Sequence, residues 1–198
     1  MPRAGLDTDA VVEAAAKLAD AEGLESVTLS RLAAALGVRS PSLYAHVDGL
    51  EDLRRRLGAR GASDLAAQLG RAAAGRAGDE ALAAIAHAYR AYVREHPGSY
   101  AAAQRARELQ HDAAAVAAST AVMEVVLAVL RGYGFDGDDA VHAARIIRVA
   151  LHGFVSLEAE GGFAIALSLD ETFERLIATL DRGLREPVGT GVASARRS

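Results

Sequence analysis

An all-α fold is predicted by three features of this 198-residue sequence. Apolar residues recur at helical spacing in nine successive stretches. Gly, Pro and short polar residues punctuate those stretches where helix caps belong. The chain is 51% hydrophobic, enough at this length to bury a core. The predicted organisation is an N-terminal three-helix module over residues 1–50, a helical body over 51–186 and a disordered tail over 187–198.

The first helix is expected over residues 7–22, where Asp7, Thr8 and Asp9 supply capping groups and Val11, Ala15, Leu18 and Ala19 repeat until Gly23. Thr28 caps a two-turn second helix whose Leu29, Leu32, Ala33 and Leu36 form an i, i+3, i+4, i+7 stripe. Gly37 ends it as a left-handed C-terminal residue. After Val38 and Arg39, Ser40 can cap a third helix and Pro41 fits its first position, where a missing N–H costs nothing.

In that third helix the geometry bears on function. At about 100° per residue, Leu43 and Val47 point inward and leave Pro41 and Ala45 at the centre of the outer face, flanked by Ser42 and Tyr44. Small side chains let a helix approach base edges, a hydroxyl can reach phosphate or base, and an alanine methyl can touch a thymine methyl. The surrounding window, residues 26–60, carries six arginines (31, 39, 54, 55, 56, 60) against Asp48, Glu51 and Asp52, so it is +3. The chain's net charge is −4, which leaves −7 on the remainder. A basic module on an acidic body suits a small footprint on double-stranded DNA.

A fourth helix is expected from residue 50 to about 69, softened by Gly58 and Gly61, and the Gly/Ala-rich stretch 71–80 separates it from the rest of the body. The fifth, over 79–96, carries Leu82, Ile85, Tyr89, Tyr92 and Val93 and ends at Pro97 and Gly98. A short sixth follows over 99–110. The seventh, over 112–131, is apolar on most sides and is expected to be a buried central helix. The eighth, 137–160, and the ninth, 169–184, have broad apolar faces that suit both the core and a partner, the simplest partner being a second copy.

The segment AEGLESVTLSRLAAALGVRSPSLYAHV, residues 21–47, resembles the TetR family of bacterial transcription regulators, through its TL…LA..LGV helix and turn followed by P.LY.HV. The resemblance spans about the first 55 residues. A weaker one lies in LHGFVSLEAEGGF, residues 151–163, similar to the C-terminal type named for a Trp-His-Gly motif, with Leu151 in place of Trp. The resemblance implies a helix-turn-helix reader, a body that binds an unknown small-molecule effector, and a homodimer formed by the last two helices on a near-palindromic operator. Carried over by position, it places DNA contacts at Thr28, Ser30, Arg31, Arg39, Ser40, Pro41, Ser42, Tyr44, Ala45 and His46. Leu50 stands where the family commonly has a basic residue, and Arg54 to Arg56 can either replace it or pair with acids of the body.

No HExxH, Walker loop, GxSxG or cysteine is present, so neither catalytic residues, nor a cofactor, nor a metal site has a sequence anchor. Polar, aromatic and soft side chains on facing helices are the candidates for an effector pocket: Tyr89, Tyr92 and His96, His111, Met123 and Val126, and Arg148, His152 and Phe154. The N-terminal MPRAGLDTDA lacks the apolar core of a signal peptide, and no uninterrupted apolar run approaches a bilayer's thickness. A cytoplasmic repressor released by its ligand, with no membrane contact, is the expectation. The alternative is an all-α ligand-binding protein or enzyme carrying a degenerate helix-turn-helix.

Overall fold

The computed structural model describes residues 6–106 and 113–186. It contains α1 (Thr8–Glu22), α2 (Leu29–Leu36), α3 (Leu50–Ala73), α4 (Gly78–Glu95), α5 (Pro97–Ala106), α6 (Ala113–Arg131), α7 (Gly137–Ala159) and α8 (Leu169–Arg185). With the 3₁₀ segment Ser40–Ala45 these make the nine helical elements expected, and a single 3₁₀ turn, Leu24–Ser26, lies between α1 and α2. The predicted tail, 187–198, lies outside the described residues.

The caps are where the sequence places them. Asp7 accepts the Ala10 N–H at 2.7 Å, and the Thr28 hydroxyl accepts that of Arg31 at 3.3 Å. Gly37 is left-handed at φ 66, which lets the Val38 N–H fold back onto the Ala33 carbonyl at 3.0 Å. One apolar cluster joins α1, α2, the 3₁₀ segment and the start of α3 through residues such as Val11, Ala15, Leu32, Leu43 and Leu53. A second fills the body between α3, α4, α6, α7 and α8, with Leu69, Leu82, Ile85, Leu130, Ile147 and Phe173 at its centre.

The structure differs from the sequence reading in four places. The third helix is a six-residue 3₁₀ turn, closed by Ser42 N–H to Arg39 O and His46 N–H to Leu43 O, both 2.9 Å. Pro97 opens α5 instead of closing the helix before it, which ends at Glu95.

The third difference concerns α3, which is unbroken from Leu50 to Ala73, with Gly58 and Gly61 both buried inside it. Gly61 permits close packing: a Cβ there would lie 2.5 Å from the Ser99 carbonyl oxygen on α5. The Tyr92 hydroxyl donates to the Gly61 carbonyl at 2.8 Å, so α3, α4 and α5 meet at this residue. Fourth, α6 is not a buried central helix. Val129 and Leu130 are buried, but Val116 is exposed, and Val122, Met123 and Val125 to Leu127 are only partly covered. Its apolar composition serves a cavity wall.

Helix α1 reaches the body through α5. A Cβ on Gly98 would fall 2.1 Å from the Ala19 backbone, so only glycine fits between these two helices. Beside it, the Asp20 carboxylate accepts the Ser99 backbone N–H at 2.7 Å and the Ser99 hydroxyl at 3.2 Å, and lies 3.0 Å from His96 Nδ1. An orphan donor in the first turn of α5 is thus satisfied from a residue 79 positions earlier.

Candidate DNA interface and effector cavity

Leu43 and Val47 are buried, and they hold the 3₁₀ segment against α2. Pro41, Ser42, Tyr44 and Ala45 are all exposed on its outer side, with Tyr44 at 61%. Ser30 and Arg31 on α2 are exposed as well, and so is Arg39 just before the segment. Thr28, Ser40 and His46 are half-buried. The hydroxyl of Thr28 is engaged in capping, and the carbonyl of His46 accepts the Thr8 hydroxyl at 3.3 Å. Tyr44 thus stands out from a tight turn whose other side is anchored in the core.

The arginines around this face are mostly engaged. Arg31 pairs with Glu22 at the end of α1, with both side chains about half exposed, so releasing it to a phosphate costs little. Arg54 pairs with Glu51 and Glu25, and Arg60 with Glu13 and Asp64. Arg55 and Arg56 hold the buried Asp52 at 2.8 and 2.9 Å, so each of Arg54 to Arg56 pairs with an acid of its own helix, and Arg54 also with Glu25 of the neighbouring turn. Asp52 also accepts the Asp48 N–H at 3.0 Å, which ties down the start of α3 where Leu50 replaces a basic residue. Burial raises the Asp52 pKa, but the Arg56, Asp48 and Arg55 hydrogen bonds outweigh it and hold the carboxyl below its ordinary value.

The body encloses a largely apolar cavity of about 50 Å³ among α3 to α7. Helix α6 supplies Ser119, Val122, Met123 and Val126, and α7 supplies Ala144, Ile147, Arg148 and Leu151, each an i, i+3, i+4, i+7 stripe. Leu65 and Leu69 close one side, Ile85 and Tyr89 another, and Gln104 reaches in from α5. The volume is far below the roughly 300–1,000 Å³ of sites that hold drug-sized molecules, so an occupant of that size must move lining side chains aside. Behind the wall, the hydroxyls of Tyr89 and Tyr100 lie 2.5 Å apart, and that of Tyr100 lies 2.5 Å from His152 Nδ1.

Of the candidate effector residues, the cavity gathers Tyr89, Met123, Val126 and Arg148. His152 is linked to Tyr89 through the Tyr100 hydroxyl. Tyr92 and His96 belong instead to the junction of α1, α3 and α5. Phe154 packs on Phe163 and Phe173 beneath the Arg90 guanidinium, itself held by Glu158 and Asp170. His111 lies outside the described residues. Sequence reasoning missed Gln104 and Ser119, whose only signal is a polar residue interrupting the apolar face of a helix.

Two family models match the chain: that of bacterial regulatory proteins of the tetR family over residues 11–57, and that of the tetracyclin repressor-like C-terminal domain over residues 82–180. An HTH-type transcriptional regulator of Mycobacterium tuberculosis is 41% identical over 192 residues, covering 96% of this chain and 88% of that one. The chain belongs to the TetR family. It is a DNA-binding transcriptional regulator of that family, in which homodimers and responsiveness to ligands are typical. The HTH-type regulator YobS of Bacillus subtilis is 36% identical over 92% of this chain and 95% of its own. Among solved structures, a protein from Rhodococcus sp. RHA1 superposes with a TM-score of 0.78 at 23% identity, over 94% of this chain and all of that one. A TetR variant from Acinetobacter baumannii in complex with minocycline does so at 0.66 and 24%, over 92% and 100%. At those identities both show the shared fold.

For a TetR-family chain, the outer side of α7 stands out. Ile146, Val149 and Leu157 are 61%, 72% and 46% exposed, and a Cβ on Gly153 between them would meet nothing within 4 Å. By length and composition α7 could cross a membrane, alone in this among the described residues, yet its other side is packed into the body through Ile147, Leu151 and Phe154.

Proposed function

We propose that this chain is a cytoplasmic, non-enzymatic homodimeric repressor whose 3₁₀ segments enter successive major grooves of a near-palindromic operator, and which a small molecule in the body cavity releases. The observation that carries the reading is the 3₁₀ segment itself, with Leu43 and Val47 fixed in the core while Tyr44, Ser42, Pro41 and Ala45 face outward. Thr28, Ser30, Arg31, Arg39, Ser40 and His46 border that face and complete the proposed contact set. The two apolar clusters support a reader of residues 1–50 and a ligand-binding and dimerisation body of residues 51–186, with α3 running through both.

Dimerisation through α7 and α8 covers the Ile146, Val149 and Leu157 stripe and sets the two readers about 34–36 Å apart, one turn of B-DNA. A protein of this fold from Acinetobacter baumannii is in complex with the small molecule minocycline, which supports a small-molecule effector here. A ligand that prefers the expanded cavity favours a conformation with the readers out of register, and operator affinity falls by its differential affinity for the two states. Genomic operator selection followed by gel shift tests this. Tyr44→Ala should weaken operator binding about tenfold or more with the dimer intact by sedimentation, since a lost base or phosphate contact is felt in both half-sites. Val149→Glu should give monomers that bind poorly. Unchanged binding by Tyr44→Ala refutes the reader assignment, and ligand binding or turnover without DNA affinity would favour the degenerate-reader alternative.

A further inference from the structure

The geometry points to an apolar carboxylic acid as the effector class, with its carboxylate held by Arg148 and Gln104 and its hydrocarbon body against α6 and α3. This rests on the reading of the body cavity as the effector site. Gln104 and Arg148 bring two adjacent polar side chains to a lining that is otherwise mostly apolar. Gln104 Oε1 accepts from Arg148 Nη2 at 3.4 Å, a long, exposed contact that sets the two side chains side by side without satisfying the guanidinium. With its oxygen toward the arginine, the glutamine amide is left presenting N–H donors. Ser119 on α6 adds a hydroxyl-bearing side chain to the lining. Arg148 has no carboxylate within ion-pair distance among the described residues, whereas Arg90, Arg60 and Arg185, elsewhere in the body, each hold two.

The rest of the lining is Ala, Leu, Ile, Val and Met, with Tyr89 turned to Tyr100. Among the described residues no aspartate or glutamate borders the cavity, so none of them balances a cationic ligand there. A guanidinium presents its N–H donors in a planar fork that matches a carboxylate in two parallel bonds, a pairing stronger than one with a neutral amide. The stripe of Val122, Met123 and Val126 selects the remainder of the molecule. Three apolar side chains on consecutive turns accept an extended hydrocarbon, and the flexible Met123 is the side chain best able to yield. Because the empty cavity holds only about 50 Å³, the hydrocarbon opens it as it enters, which couples binding to displacement of α6.

Sodium octanoate, octan-1-ol and octylamine test the assignment by calorimetric titration of the full chain, with operator binding followed in parallel. The wild-type protein should bind octanoate more tightly than either neighbour. Arg148→Met should weaken octanoate about 10- to 100-fold, the range of a lost hydrogen bond to a charged group, while leaving octanol unchanged. Arg148→Lys should keep the preference for the anion. Equal binding of the three probes, or octanoate binding indifferent to Arg148→Met, overturns the ligand class. If DNA binding holds while octanoate shows no preference, the ligand class fails alone. If the wild type binds no operator, the repressor reading fails whatever octanoate does.

Discussion

Replacing Asp20 by alanine removes the joint between α1 and the body, and its cost can be worked from three contacts. The carboxylate accepts the Ser99 N–H at 2.7 Å, a capping bond worth about 1 kcal/mol. The Ser99 hydroxyl at 3.2 Å adds about 1 kcal/mol more, as a bond to a partly buried acceptor. The His96 contact adds little, because that ring is 38% exposed. The total is about 2 kcal/mol, or about 4–8 °C in Tm for a chain of this size. Urea unfolding followed by circular dichroism measures it, with wild type and variant compared at the same chain concentration so that any association term is held fixed. Asp20→Asn keeps an acceptor for the Ser99 N–H and should cost about half as much. A loss below about 0.5 kcal/mol for Asp20→Ala would refute the idea that this carboxylate holds the two parts together.

Two other contacts give expected outcomes of their own. Gly61→Ala distinguishes a packing glycine from a softening one by sign: the 2.5 Å approach to the Ser99 carbonyl predicts a loss of about 1–3 kcal/mol in urea unfolding, whereas a merely flexible position would gain about 1 kcal/mol of helix propensity. Asp52 is held below its ordinary value of 3.8, so its contribution is present above that value and lost as pH falls through its folded pKa. In a pH series of urea melts, the stability gap between wild type and Asp52→Asn should therefore close toward pH 3 and be widest near neutrality.

What could be read in the sequence was local. Thr28 and Gly37 declare the ends of α2 by their own chemistry, and the spacing of Leu43 and Val47 declares which side of the reader is buried whether the turn is α or 3₁₀. The choice of 3₁₀ itself was not legible, since Pro41 opens either kind of turn. Gly61 looked like a weak point because a sequence shows a missing side chain but not the carbonyl that occupies its place. Asp20 carries no local signal of its role because its partner is 79 residues away. The apolar content of α6 was visible, but composition alone does not tell a core from the wall of a cavity, so Met123 and Val126 could be proposed while Gln104 and Ser119 could not.

The run of α3 through both apolar clusters bears on any attempt to exchange readers between members of this family. Leu53 and Leu57 belong to the N-terminal cluster and Leu65 and Leu69 to that of the body, on one uninterrupted helix. A chimaera spliced at residue 50 would carry its donor's Asp20 and Ala19 onto a foreign α5, with no assurance of a glycine at the position of Gly98. The transplantable unit is therefore a set of matched surfaces, α1 with the first turn of α5 and the middle of α3 with Ser99, and those positions have to be grafted together.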